Sequence, residues 1–320
     1  MINLIKNLIS KYLILIIFIS FFDNLSNPIN ANTVKIVKKI NNEIITNLDI
    51  EKEYNYLTAL NNNLKDLTLD DAYKIAEDSL VREKIKYSEI KKFIDFENID
   101  KKLVEPVIQN IIEKLKLNNR SEFKNYLNSY NLSINDIEKR VKIEVLWNQL
   151  IAAKYKDKVN VNEKQLMSKI KKENLQNKTM IEYDLSEIVF QANNKEEYLS
   201  KTEEIKTSIA TIGFSNTANK FSTADTAKLG GSIGKINENQ LSKIIRETLT
   251  NIGINEFTKP INVGSGFMIL FINEKNIINK KIDENLMLKK MVAFERNKQF
   301  ENYSQIYFNK VKINTLKNEF

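Results

Sequence analysis

All seven glycines of this 320-residue chain lie between positions 213 and 266. Glycine is a poor helix former and the default residue for left-handed backbone. Its absence from 1 to 212 leaves that stretch free to be helical nearly throughout. Its concentration afterwards points to one region of tight turns. Gly230, Gly231 and Gly234 share a single loop, FSTADTAKLGGSIGKIN, at 221–237.

Hydrophobic spacing agrees with that division. In VKIVKKINNEIITNL (34–48), Val37 and Ile40 lead into an Asn41-Asn42 turn, and Ile44 and Ile45 follow. Thr46 with Asp49 three residues on predicts a helix start, continued by Ile50, Tyr54, Leu57 and Leu64. A second helix is expected from Thr68, with Asp70 and Asp71 in its first turn and an inner stripe of Ala72, Ile75, Ala76, Ser79 and Leu80. The stripe from Leu103 to Leu115 repeats at i, i+3, i+4, with Pro106 near its start. Further helices are expected near Ser121 and Ser133, the latter carrying the only tryptophan, Trp147, and near Asn162 with Gln165. Each stripe reads as core packing, and Tyr54, Tyr56, Tyr126 and Tyr130 read as partly buried core ahead of surface binding residues.

From about 179 the pattern changes. TMIEYDLSEIVF (179–190) reads as a strand, 195–212 as a helix, the glycine loop as a loop, and 239–251 as a helix. INEFTKPINV and GFMILFINEK read as two strands joined at Gly264-Ser265-Gly266. After Asn276 a helix is expected over 283–308, and the alternating FNKVKINTLKNEF reads as a last strand. The fold class is therefore α+β: a mainly helical body with an inserted α+β unit.

Composition excludes several chemistries. The chain has no histidine and no cysteine, which removes Cys/His zinc sites, thiol nucleophiles, disulfides and any Ser-His-Asp mechanism. No G-x-x-x-x-G-K-[ST] pattern occurs, so no nucleotide is expected, nor any cofactor or metal. The net charge of +8 is spread along the chain, without basic runs interleaved with aromatics. It reads as solvated helix faces, and no nucleic-acid partner is expected. At the N-terminus, Lys6 and Lys11 precede an uncharged run from Tyr12 to Phe22. That length suits a signal-peptide core and is short for a membrane span. Cleavage is expected after Ala31, an uncleaved inner-membrane anchor being the alternative.

The 179–275 unit resembles a parvulin domain, the small peptidyl-prolyl isomerase fold. DLSEIVF stands where parvulins carry a strand ending in a Ser-His-Ile-Leu-like motif. FSTADTAKLGGSIGKI matches their Gly-Gly-Asp-Leu-Gly loop, and INEFTKPINVGSGFMILFI matches the closing hairpin, with Pro260 and Gly266 in their usual places. The flanks, VKKINNEIITNLDIEKEYNYL and QIYFNKVKIN, are similar to the start and end of the SurA-type chaperone domain.

This resemblance implies a signal peptide at 1–31, an N-terminal helical chaperone region at 32–175, a parvulin-like domain at 176–276, and a C-terminal helix and strand at 277–320 completing the chaperone domain. It implies an ATP-independent periplasmic chaperone that binds unfolded outer-membrane proteins or extended peptides, and meets the membrane only through export. The alternative it implies is an active peptidyl-prolyl cis-trans isomerase.

The family's site residues carry over with departures. The strand histidine falls on Glu187 and the last-strand histidine on Met268. The loop cysteine or aspartate falls on Ala224, or on Asp225 if the loop slips by one. The proline-pocket residues fall on Leu241, Ser242 and Ile245. The histidine network is lost, so isomerase activity is expected to be weak or absent. A glutamate at 187 must lie exposed, or be buried with a partner or a proton. Leu241, Ile245, Phe267 and Met268 are the peptide-binding candidates, and Gly230, Gly231 and Gly234 the structural loop residues.

Overall fold

The computed structural model describes residues 33–96, 101–176, 179–264, 266–279 and 283–317. The expected signal peptide lies outside these residues. Among them, no helix is long and apolar enough to cross a membrane.

From Ile36 onward, the described residues pack as one compact unit. It opens with an antiparallel hairpin, β1 (Ile36–Ile40) and β2 (Glu43–Thr46), turned by Asn41 at φ 52°. Among the described residues six α-helices follow: α1 (Asn47–Leu60), α2 (Leu69–Ile90), α3 (Glu105–Lys114), α4 (Arg120–Asn128), α5 (Ile134–Tyr155) and α6 (Glu163–Gln176).

The helix starts are set by local chemistry. Thr46 and Ser133 form capping boxes with Asp49 and Asp136, and the Thr68 hydroxyl accepts from the Asp71 N–H. Each cap satisfies N–H donors that the helix itself leaves open. Pro106 is accommodated in the first turn of α3, where its missing N–H costs nothing. Leu64 belongs to a 3-10 turn after α1, not to α1 itself.

The predicted inner stripe is buried throughout in α2 and in part in α3. Ala72, Ile75, Ala76, Ser79 and Leu80 of α2 join Ile108, Ile111 and Ile112 of α3 in the interior. Leu103 and Val107 stay largely exposed. Tyr56 is buried, while Tyr54, Tyr126 and Tyr130 pack half-buried against the same core. Arg140 is enclosed among Glu53, Glu83 at 3.0 Å and the Tyr56 ring at 4.6 Å.

The α+β unit comprises β3 (Thr179–Phe190), α7 (Lys195–Phe221), β4 (Ser232–Asn237), α8 (Lys243–Thr250), β5 (Ile261–Asn262) and β6 (Phe267–Asn279). The antiparallel sheet runs β4-β3-β6-β5. Alternation along β3 splits its side chains between two faces. Ile188 and Phe190 pack under α7 with Ile205, Phe214 and Ala218. Tyr183 and Leu185 pack on the other face with Leu241, Ile245 and Leu249.

Four expectations are corrected here. The helix expected to end before Gly213 continues to Phe221, with Gly213 (φ 77°) as a local interruption. The glycine loop contains a strand, β4, which pairs with β3 across a bulge at Leu185/Ser186. The helix expected over 239–251 is a short 3-10 turn followed by α8, and INEFTKPINV contributes only two strand residues. Finally, the expected C-terminal strand is helix: α9 runs from Glu284 to Lys317. Val311 and Thr315, one helical turn apart, are buried while Ile313 between them is exposed, which is the periodicity of a helix.

Helix α9 binds the body through aromatics. The Trp147 indole N–H donates to Ser304 Oγ at 2.7 Å, and the indole lies 5.7 Å from the Tyr307 ring. Tyr155 stacks on Tyr303 at 4.6 Å.

Candidate functional site: an apolar cleft on the four-stranded sheet

On the sheet face opposite α7, a cavity of about 150 Å³ opens between the sheet, α8 and α9. Its apolar walls include Leu185, Val189, Leu241, Ile245, Met268 and Leu270. Val189 pairs with Met268, and Glu187 pairs with Leu270, across β3 and β6. Period-2 alternation therefore brings Glu187 and Met268 to the same face.

Glu187 is 8% exposed. Of the two arrangements open to a glutamate here, the structure realises burial with a partner. Thr226 Oγ1 donates to Glu187 Oε1 at 2.9 Å. Burial pushes the carboxyl up to about 7, helped by Asp225 and opposed by the Thr226 hydrogen bond and Lys114. Glu301 of α9 lines the same cavity. Burial, then the nearness of Glu187 and Asp225, raises its carboxyl to about 8. Two neighbouring carboxyls in a mostly apolar cleft hold protons near neutrality. Among the described residues, no acidic cluster is placed to hold a metal ion.

The structure brings Glu187, Leu241, Ile245 and Met268 to one cavity. It does not bring Phe267 there. Phe267 lies on the opposite face, 5.6 Å from the Phe190 ring and 4.4 Å from Tyr198. Successive strand residues point to opposite sides, so Phe267 and Met268 cannot share a pocket wall. Ser242 serves as the N-cap of α8, its hydroxyl accepting from the Ile245 N–H. Ala224 is buried. Asp225 turns towards the helical body: Lys86 Nζ is 3.1 Å away, and the Asn148 amide donates to it at 3.3 Å.

The glycine loop is built against β3. Gly230, Gly231 and Gly234 have φ of 64°, 80° and 91°. Gly231 also sits where a Cβ would come within 2.3 Å of the Glu187 carbonyl oxygen, and its own carbonyl accepts from the Glu187 N–H at 2.8 Å. Only glycine permits that approach. The loop thereby fixes the backbone of Glu187, which lines the cleft.

The contribution of α9 is what sequence reasoning missed. Phe294, Asn297, Lys298, Glu301, Asn302 and Gln305 form one wall of the cavity. Their i, i+3, i+4 spacing marks a single helix face, but nothing in the sequence says what that face meets.

Residues 180–274 match the family model of the PPIC-type PPIase (rotamase) domain. No curated protein matches the chain. Among solved structures, a PpiC-type peptidyl-prolyl cis-trans isomerase domain is 25% identical, covering 32% of this chain and 96% of its own, at a TM-score of 0.29. PrsA from Bacillus subtilis is 15% identical over 87% of this chain and 91% of its own, at 0.28. One of two structurally related SurA-like chaperones of Campylobacter jejuni is 15% identical over 89% and 98%, also at 0.28. The domain match covers the four-stranded antiparallel sheet and the glycine loop. Residues 180–274 thus form a rotamase domain of the PPIC type, with Glu187 and Met268 at the two positions where the parvulin resemblance expects histidine.

Proposed function

We propose that this chain is an exported, ATP-independent folding factor of the periplasm, and that its rotamase domain binds extended segments of unfolded polypeptide with little isomerisation. In this reading 1–31 is a signal peptide, while 32–175 and 277–320 form a chaperone region that holds the parvulin-like domain, 176–276. The clients are unfolded outer-membrane proteins, whose alternating apolar segments suit a small greasy cleft.

One observation carries the reading. The cleft keeps apolar walls at Leu241, Ile245 and Met268 and has room for one ring-sized group, while a protonatable Glu187 lines it. A cavity of that size and character accepts an apolar ring. Isomerisation has a barrier of about 18–20 kcal/mol, and lowering it requires tighter binding of the twisted amide than of either planar form. A buried glutamate hydrogen-bonded to Thr226 is not the hydrogen-bonded histidine pair that the parvulin resemblance expects there. The domain match favours the alternative, an active isomerase.

NMR exchange on an Xaa-Pro peptide, with and without the purified protein, separates the two. Shifts in cleft residues with unchanged cis-trans exchange are expected. Acceleration that disappears in Leu241→Asp would establish the isomerase instead. Neither shifts nor acceleration would move client binding away from this cleft.

A further inference from the structure

Helix α9 lies outside the matched segment 180–274, yet it supplies a wall of the cleft. The two sides of this helix differ in chemistry. Towards the helical body it presents Phe300, Tyr303, Tyr307 and Phe308, packed around Trp147, and its N-terminal part inserts Met287 and Met291 beside Ile170. Towards the cleft it presents one aromatic ring, Phe294, followed by Asn297, Lys298, Glu301, Asn302 and Gln305. The contact with the body is an aromatic core. The contact with the cleft consists largely of amides and charges that exchange readily with water.

We propose that α9 is a built-in strap over the peptide cleft, closed in the present structure and parted from the sheet when polypeptide enters. The proposal rests on the reading of the cleft as a peptide site. Three observations support it. The cavity volume of about 150 Å³ holds one side chain, well below the several hundred cubic ångströms that ligand pockets usually offer, so an extended segment requires the wall to move. Phe294 packs on the apolar cluster of the cleft, with Leu241 and Ile245, and so occupies surface a client would use. Asn302 Nδ2 donates to the Val263 carbonyl at 3.3 Å, beside the β5–β6 turn. Because the aromatic side of α9 is the better anchored, the helix stays with the body and the cleft side is the one that opens. Glu187 and Glu301 line the same space, so ionisation of both opposes closure.

The chain has no cysteine of its own, so Met268→Cys places a unique thiol in the cleft of the full-length protein. The rate of its reaction with a bulky maleimide reports how often the strap opens. Adding Phe294→Ser is expected to speed labelling about tenfold, and Glu301→Gln, which removes a like charge, to slow it at about pH 8. Unchanged near-ultraviolet circular dichroism of Trp147 shows that the body remains folded. Labelling already fast with Met268→Cys alone, and indifferent to both further changes, would overturn the proposal.

Binding of a proline-containing peptide, measured by fluorescence anisotropy on the same variants lacking the Met268→Cys change, is expected to tighten with Phe294→Ser. If labelling responds as expected but no variant binds peptide, the strap stands and the peptide-binding reading fails. If peptide binds the wild type and Phe294→Ser equally, the strap does not restrict the cleft and the proposal fails while the site reading stands.

Discussion

At Glu187 a single substitution changes what the cleft can do. Its carboxyl titrates near 7 where an ordinary glutamate titrates near 4.5, so the fold favours the neutral form. The stability this contributes is fully present below about pH 4.5 and is lost as the pH rises through about 7. Glu187→Gln is expected to remove that slope and to add about 1–3 kcal/mol at alkaline pH, read as urea unfolding midpoints at about pH 5 and 8. An identical slope in the variant would show that Glu187 does not titrate in this range. Gly231→Ala is expected to cost more than about 2 kcal/mol, because strain at positive φ adds to a clash with the Glu187 carbonyl. Gly234→Ala meets nothing within 4 Å and should show only the backbone cost of about 1–2 kcal/mol; equal losses by thermal denaturation would deny the close approach. The identities of Glu187, Leu241, Ile245 and Met268 as cleft residues were legible from aligned motifs. The partner of Glu187 was not, because Thr226 reaches it only once the loop has folded back on β3. Phe267 was misplaced although strand alternation already sets it apart from Met268.

Among the elements, helix starts were the most legible, since a cap and its third residue lie within one turn of chain. Thr46, Thr68 and Ser133 all cap as their sequences suggest. Elements defined by partners were legible least. β4 is short and glycine-containing, and it exists because β3 offers an edge. The end of α9 looked like a strand because Val311, Ile313 and Thr315 alternate with polar residues. The same run on a helix puts Val311 and Thr315 inside and Ile313 out. Val311→Asp is therefore expected to destabilise by about 2–4 kcal/mol, while Ile313→Asp stays within about 0.5 kcal/mol. In a strand both positions would share a face, so similar losses in a denaturant titration would contradict the helix.

Across the whole molecule, the rotamase domain is seated on the helical body by polar contacts, one set half-buried and one buried. Glu144 of α5 receives Lys86 at 2.5 Å and Lys228 of the glycine loop at 2.9 Å. Burial would raise this carboxyl, but the two lysines prevail and hold it well below the usual carboxylate range. Asn61 meets Asn216 and Asn219 of α7 in a second cluster, this one buried, at 3.2 and 2.5 Å. Glu144→Ala would take the ion-pair partner from Lys228 and leave Lys86 with Asp225, with an expected loss of about 1–3 kcal/mol and faster hydrogen exchange at 225–231; protection equal to wild type would mean that this network does not hold the domain in place. The sequence by itself determined the helical body, its caps and stripes, the presence of a rotamase domain and the loss of its histidines, because those features are written in local spacing and in residue identity. The tertiary structure alone decided that Glu187 is buried and protonatable, that the glycine loop anchors to α5, and that α9 walls the cleft. Each depends on groups tens to more than a hundred residues apart meeting in space, and no local pattern carries the direction from which a partner will come.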